Sequence, residues 1–262
     1  MTSYQDFIKT IQRKGLLVFS KENTLHNIDT HEGSLKVTLA RNVRLGNIIY
    51  LGQGLYSLIP PEYKVMGAPP CEWVIDDLMK AHECHYYAGL LTAAAFYGAA
   101  HQAPQIFQII CDKRIPKVLI GKTRIHFYYS KEIATLPFQT KNTPTGTIKI
   151  STPEVTAFDL IKYMQQSGHM NHVATVLLEL GESLKARELK KVSSYYPLSI
   201  SQRLGYMLDE LGYSHKTSLL NTTINKQTLR YIPLRSDMPP GAFPKNEKWH
   251  IIVNEQLEPD DI

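Results

Sequence analysis

Over the first 63 residues the spacing of apolar positions switches between helical and strand periods, and each switch predicts an element. Tyr4, Phe7, Ile8 and Ile11 recur at helical spacing, giving a first helix with one buried stripe, ended by Gly15. Residues 22–29 (ENTLHNID) read as a short second helix. A third runs from Ser34, a hydroxyl suited to an N-cap, to Arg44. Projected around that helix, Leu35, Leu39 and Val43 share one face, while Ser34, Thr38 and Arg41 lie opposite with Arg44 beside them. Residues 47–51 and 55–59 then read as two strands around Gly52-Gln53-Gly54, and glycine at the first turn position suits a type II′ hairpin. Pro60-Pro61 closes the unit.

Residues 64–70 (KVMGAPP) read as a linker. A helix around 72–80 and a very apolar helix around 86–100 follow. The runs 105–111, 117–120 and 124–129, separated by short polar turns, predict an antiparallel meander. Another strand, 145–150, feeds Ser151-Thr152-Pro153-Glu154, where a hydroxyl cap, a proline in the first turn and an early acid announce a helix. That helix carries Val155, Phe158, Leu160, Ile161 and Tyr163. Helices near 172–180, 185–193 and 199–211 come next, the last ended by Gly212, before a terminal strand at 249–253 and an acidic tail. The expectation is an α+β chain: an N-terminal winged helix-turn-helix at 1–63, then a larger mixed α/β C-terminal domain at 64–262.

Composition narrows the classes. With 262 residues and 43% apolar side chains, the chain can bury real cores, which excludes wholesale disorder. The formal charge of +5 is mild, so its distribution matters more than its size. Residues 1–65 hold eight Lys and Arg against five Asp and Glu, a balance compatible with phosphate contacts. The three cysteines, Cys71, Cys84 and Cys111, cannot make a disulfide framework and point to a reducing compartment. The N-terminus has no apolar run of signal-peptide type, and the window 86–100 is too short to span a bilayer and is broken by His101. A cytoplasmic protein without a membrane partner is expected.

Candidate chemistry thins out under inspection. Cys71, His82, Cys84 and His85 sit close together, but their spacing matches no usual zinc ligand pattern, so no metal is expected. No G-x-S-x-G elbow, P-loop or dinucleotide glycine pattern occurs, so no catalytic residue and no cofactor are expected either. Asp112-Lys113 is the best start for a nuclease centre and lacks a second carboxylate of suitable placement, while Asp76-Asp77 reads as a solvated helix face. The third helix offers more. In a major groove it would turn Ser34, Thr38 and Arg41 to bases and phosphates, with Lys36 and Arg44 flanking along the backbone and Gln53 reaching out from the hairpin tip. The alternatives are a winged module used for protein contacts alone, and a nuclease with a winged-helix targeting domain. A second basic stretch, Lys185, Arg187, Lys190 and Lys191, is either a solvated helix face or a docking surface for an acidic partner.

Several segments in a fixed order carry a family resemblance. They are GQGLYSLIPPEY, YYAGLLTAAAFYGAAHQAP, QIFQIIC, KISTPEVTAFDLI, SISQRLGYMLDELG and the closing PLRSDMPPGAFPKNEKWHIIVN. Together they resemble the AbiE-type abortive-infection antitoxins, the transcriptional regulators of type IV toxin–antitoxin systems. The resemblance implies a bifunctional, non-enzymatic protein. Its N-terminal domain would bind inverted repeats in its own promoter DNA and repress transcription. Its C-terminal domain would counteract a nucleotidyltransferase-like toxin without forming a stable complex with it; the charge of Lys185, Arg187, Lys190 and Lys191, not the resemblance, makes them the toxin-neutralising candidates.

Overall fold

Apolar residues at i, i+3, i+4 and i+7 build helix α1 (Tyr4–Arg13), which opens at Ser3, whose Oγ accepts the Asp6 N–H at 3.2 Å. The computed structural model describes residues 3–99, 105–238 and 241–259. His101, named above as breaking the apolar run, and the end of the acidic tail lie outside the described residues. Two units divide the chain. One holds everything up to Tyr87 together with 105–134 and 140–150; the other holds the remainder. The architecture is mixed α+β, with ten α-helices among the described residues.

In the first unit, α1 is followed by strand β1 (Val18–Ser20), helices α2 (Lys21–Asn27) and α3 (Glu32–Arg44), and strands β2 (Ile48–Gly52) and β3 (Leu55–Leu58). The strands form an antiparallel sheet in the order β1-β3-β2. Phe7, Ile11, Phe19, Ile28, Leu35, Leu39, Ile48 and Leu58 close one core. Within it Phe19 meets Phe7 edge-on at 5.9 Å and stacks on Tyr56 at 6.0 Å, pairings that add roughly 0.5–1.5 kcal/mol each beyond burial. The short β1 has no alternation to announce it, so only the structure reveals it.

Three local expectations are corrected here. Ser34 is not the cap of α3. His31 holds the extended geometry that starts the helix, so Ser34 falls inside the first turn, its Oγ 3.0 Å from the His31 Nε2. Val43 stays exposed, because the core line runs Leu35–Leu39 and then to Asn42, whose amide donates to the Thr38 carbonyl at 2.9 Å. The hairpin turn is not type II′. Gly52 pairs with Leu55, so the central residues are Gln53 and Gly54, both left-handed at φ +51° and +73°, as a type I′ turn requires.

Residues 64–70 pack against the unit instead of hanging free. Lys64 Nζ donates to the Gly46 carbonyl at 2.7 Å and to Asn47 Oδ1 at 2.9 Å, and Ala68 is buried. Beyond them lie α4 (Ile75–Ala81) and strands β4 (Tyr86–Ala88), β5 (Ile106–Cys111), β6 (Val118–Ile120), β7 (Thr123–Tyr129), β8 (Phe138–Thr143) and β9 (Gly146–Ser151). They make a six-stranded sheet in the order β6-β7-β5-β4-β9-β8. The expected meander is therefore wrong: β6 and β7 form an antiparallel hairpin, but β5 runs parallel to β7. The single helix expected at 86–100 is also wrong. Tyr86, Tyr87 and Ala88 are an interior strand, and extended Gly89 separates them from helix α5 (Leu90–Phe96). A strand buried on both faces shows a continuous apolar run, which imitates a buried helix.

The second unit holds α5, α6 (Pro153–Lys162), α7 (His169–Leu180), α8 (Ala186–Ser193), α9 (Leu198–Glu210) and α10 (Ser214–Ile224). A small sheet of β10 (Ile232–Pro233), β11 (Lys245–Asn246) and β12 (Ile251–Ile252) completes it, in the order β10-β12-β11. Thr152 caps α6 by accepting the Val155 N–H at 3.3 Å, and Pro153 occupies the first turn, as its sequence announces. Every residue from Pro153 to Ile161 is buried. The polar side chains among them are all partnered. Glu154 Oε1 accepts the Lys185 backbone N–H at 2.9 Å, Asp159 Oδ1 accepts the Tyr196 hydroxyl at 2.8 Å, and the Thr156 hydroxyl donates to the Thr152 carbonyl at 2.8 Å. Helix α10 carries only a weak apolar stripe (Thr217, Leu220, Ile224), which hides it from a periodicity reading.

Trp249, fully buried, lies on Gly205 of α9, and its Nε1–H donates to Asp209 Oδ2 at 2.7 Å. A Cβ placed on Gly205 would meet the Trp249 ring at 2.1 Å, and a buried indole has nowhere to retreat. Gly205→Ala is expected to cost about 1–3 kcal/mol by overpacking, read as a lowered midpoint of unfolding with a shifted Trp emission. An unchanged midpoint would contradict this packing.

Candidate nucleic-acid interface

Helices α2 and α3 are joined by the four residues from Ile28 to His31, the length of a helix-turn-helix connection. Ser20 caps α2 by accepting the Asn23 N–H at 2.9 Å, and Ile28, buried at the bend, fixes the second helix against the core. Leu35 and Leu39 anchor α3 from beneath. The opposite face is thereby committed to solvent.

That face is centred on Val37, Ala40 and Arg44, with Lys36 and Arg41 along its edges. All five are exposed, and Val37 keeps 70% of its surface open. Ser34 and Thr38, expected on this face, are half-buried at its seam with the body of the unit. Gln53 is exposed at the hairpin tip, where the Gly54 N–H donates to the Tyr50 hydroxyl at 3.4 Å. The structure thus brings Lys36, Arg41 and Arg44 onto one accessible helix surface and sets Gln53 on the neighbouring hairpin. Val37 is the residue that sequence reasoning misses. Its signal is the offset line Gly33–Val37–Ala40–Arg44, which lies opposite Leu35 and Asn42 once the core line is placed correctly.

Electrostatics along α3 run with the helix dipole, with Glu32 in the first turn and Arg41 and Arg44 in the last. Glu32 is also the one acid on this surface. It accepts from Lys21 Nζ at 2.6 Å and pairs with Lys36 Nζ at 3.3 Å. These bonds, that from Lys21 first, hold its carboxyl below the usual glutamate range. Arg41 and Arg44 form no ion pair among the described residues.

The other candidates sit elsewhere. Lys185, Arg187, Lys190 and Lys191 are all exposed at and along α8, whose opposite side buries Leu189, Val192 and Ser193. In the first unit, His85 Nδ1 lies 2.8 Å from Asp112 Oδ2, and Lys113 Nζ donates to the His82 carbonyl at 2.6 Å. The Cys84 thiol turns to the Met79 carbonyl, so Cys84 and His85 are directed to separate partners. Asp76 and Asp77 are half-buried, not a solvated face. Asp76 accepts from Lys80 and from the Tyr86 hydroxyl, and burial pushes the Asp77 carboxyl up. Cys71, Cys84 and Cys111 are free thiols. Burial raises Cys71 to about 12 and Cys111 to about 11, which leaves both as thiols. Among the described residues no helix is long and apolar enough to cross a membrane.

Comparison with known proteins adds a family. Residues 87–210 match the family model described as the AbiEi antitoxin C-terminal domain. Among solved structures, the chain is similar to the crystal structure of the RV2827C protein from Mycobacterium tuberculosis, with a TM-score of 0.68 at 15% identity. That likeness covers 94% of this chain and 89% of the other, and at such identity it speaks for the fold alone. No curated protein matches the chain.

The Glu32 cluster lends itself to titration. A carboxyl held below its unfolded value contributes stability above that value, and the contribution is lost as pH falls through the folded value. Glu32 is therefore expected to titrate below its ordinary 4.5, and Lys21→Met should raise it more than Lys36→Met. Carboxyl-carbon NMR titration reads this directly, and equal shifts in the two variants would contradict the ranking.

Proposed function

The chain belongs to the AbiEi-type antitoxins through residues 87–210, and from that premise we propose a two-part protein that represses its own promoter and counteracts a toxin. Residues 1–63 act as a winged helix-turn-helix DNA-binding domain, and residues 64–262 as the antitoxin domain. The antitoxin family points to a non-enzymatic role. The observation that carries the DNA-binding half is the outward face of α3, where Arg41 and Arg44 are exposed and form no ion pair among the described residues while Leu35 and Leu39 fix the helix from below. The order α1-β1-α2-α3-β2-β3, the four-residue turn and the glycine hairpin support the same reading.

On DNA, Arg41 and Arg44 reach phosphates and base edges from the last turn of α3, Lys36 takes a phosphate, and Val37 offers an apolar surface suited to a thymine methyl. Gln53 meets the backbone or minor groove beside it. Ser34 and Thr38 serve the seam of the helix more than its tip. Inverted repeats in the promoter are the expected target. The toxin is of nucleotidyltransferase type, counteracted without a stable complex, and the exposed cations of α8 are the surface through which that effect is exerted.

In the full-length chain, Arg41→Ala with Arg44→Ala is expected to weaken binding to the upstream promoter by roughly 10–100-fold. The slope of log affinity against log salt should flatten by about one for each phosphate that the two arginines no longer neutralise. Wild-type affinity in fluorescence anisotropy would sink the DNA-binding half. The antitoxin half is tested separately. Reversing Lys185, Arg187, Lys190 and Lys191 to glutamate should abolish rescue of growth when the chain is co-expressed with the neighbouring toxin gene, and should leave promoter affinity intact. Rescue that survives the reversal would remove α8 from the reading.

A further inference from the structure

The second unit contains a cavity of about 650 Å3 that the antitoxin reading does not use. Its size lies within the roughly 300–1,000 Å3 typical of small-molecule sites. The end of α6, the start of α7, the first half of α9 and the segment after β10 line it, all within the one unit, and it opens to solvent. No local pattern announces it, because its charged residues come from positions scattered along the chain from Lys162 to Glu255.

Charge decides what it can hold. Arg235 is spoken for: it bonds Asp237 Oδ1 at 2.9 Å and both oxygens of Glu255 at 3.0 and 3.1 Å, so these two acids are turned onto a cation and not left to repel a ligand. Arg203 is different. Its Nε–H donates to the Pro233 and Leu234 carbonyls, both at 3.1 Å, which fixes the guanidinium in place. Its remaining N–H donors meet no acceptor among the described residues, and burial pushes its pKa down, the mark of a cation kept without a counter-charge. Lys162 has no carboxylate partner among the described residues either. Its ammonium lies over the rings of Tyr163 at 5.3 Å and Tyr196 at 5.7 Å. Arg203 and Lys162 thus both line the cavity, and neither forms an ion pair among the described residues. Ile161, Met164, Ile200 and Leu234 give the rest of the wall an apolar surface.

The rim is strained. Gly168 and His169 follow one another in the left-handed region, at φ +87° and +68°, and a Cβ on Gly168 would meet the His172 ring at 2.6 Å. A non-glycine residue is held there against its preference, as recurs at ligand clamps.

We propose that this cavity binds a phosphorylated small molecule of nucleotide size, with Arg203 and Lys162 receiving the phosphate and the apolar wall receiving the ring. A planar guanidinium with free N–H donors fits a phosphate's oxygens in pairs, and Lys162 adds a point charge. The proposal stands apart from the DNA-binding reading, since none of its residues lies in 1–63.

The test is isothermal titration calorimetry of the full-length chain at low salt with inorganic phosphate, AMP and adenosine. AMP is expected to bind one to one, more tightly than adenosine. Tighter binding of AMP than of phosphate supports a nucleotide ligand, and equal binding supports recognition through phosphate alone. Lys162→Met, which keeps the side-chain stem, and Arg203→Lys, which keeps the charge, should each weaken AMP by roughly tenfold or more. Promoter affinity should stay close to the parent's in both, and so should the unfolding midpoint of Lys162→Met, whose ammonium anchors no carbonyl. If a midpoint falls for one variant, the other carries the comparison. The proposal is overturned by no saturable heat from AMP or phosphate up to about 1 mM, by adenosine binding as tightly as AMP, or by both variants binding AMP as the parent does.

Discussion

Helix α6 is buried on every side while carrying Glu154, Thr156 and Asp159, and the second unit is arranged around satisfying those three side chains. An unpaired buried polar group costs on the order of 1–3 kcal/mol, more if charged, so each must meet a partner fixed by the fold. Thr156 finds its partners within one turn, at Thr152 and Ser151, but those of the two carboxylates come from far along the chain. Lys185 supplies its backbone N–H to Glu154 just where α8 begins, and Tyr196 supplies its hydroxyl to Asp159 between α8 and α9, stacking on Phe158 at 4.8 Å. Both ends of α8 are thus tied to one central helix. Its cations are exposed because its other side has nowhere else to go.

The same logic places the remaining charges. Lys162, the last residue of α6, emerges where the helix leaves the core, and Arg203 is held on α9 by two carbonyls of the strand segment it crosses. The Asp209 carboxylate, accepting from Trp249, Thr217 and Lys248, joins α9 to α10 and to the closing segment. In the N-terminal module the arrangement is simpler. A single apolar line on α3 faces the core, and cations occupy what is left over. In both units, the cations are placed by a packing problem solved beneath them.

How much of this is legible in the sequence follows from how local each cause is. The three N-terminal helices, the hairpin and the Thr152-Pro153 start of α6 depend on neighbours within one turn, and their spacing announces them. Strand β4 does not, because a strand covered on both faces lacks alternation. The parallel pairing of β5 with β7 is invisible for a different reason: direction belongs to the connection, not to either strand. The exposed Lys36, Arg41 and Arg44 can be read from residue type and phase. Ser34 and Thr38 cannot, because taking Val43 for a core residue rotates the whole projection, and the half-buried Asn42 corrects it. The residues of the α6–α9 cavity share no local pattern, so only the folded chain assembles them.

Gln53 raises a different matter. At φ +51° it occupies a turn position that glycine or asparagine would fill with less strain, a cost of order 1–3 kcal/mol for an ordinary side chain. The chain keeps a long amide there, exposed to solvent. Glycine or asparagine at the hairpin tip is therefore a route to a hardened version of this protein that leaves the core beneath untouched and, on the DNA-binding proposal, gives up the contact assigned to the amide.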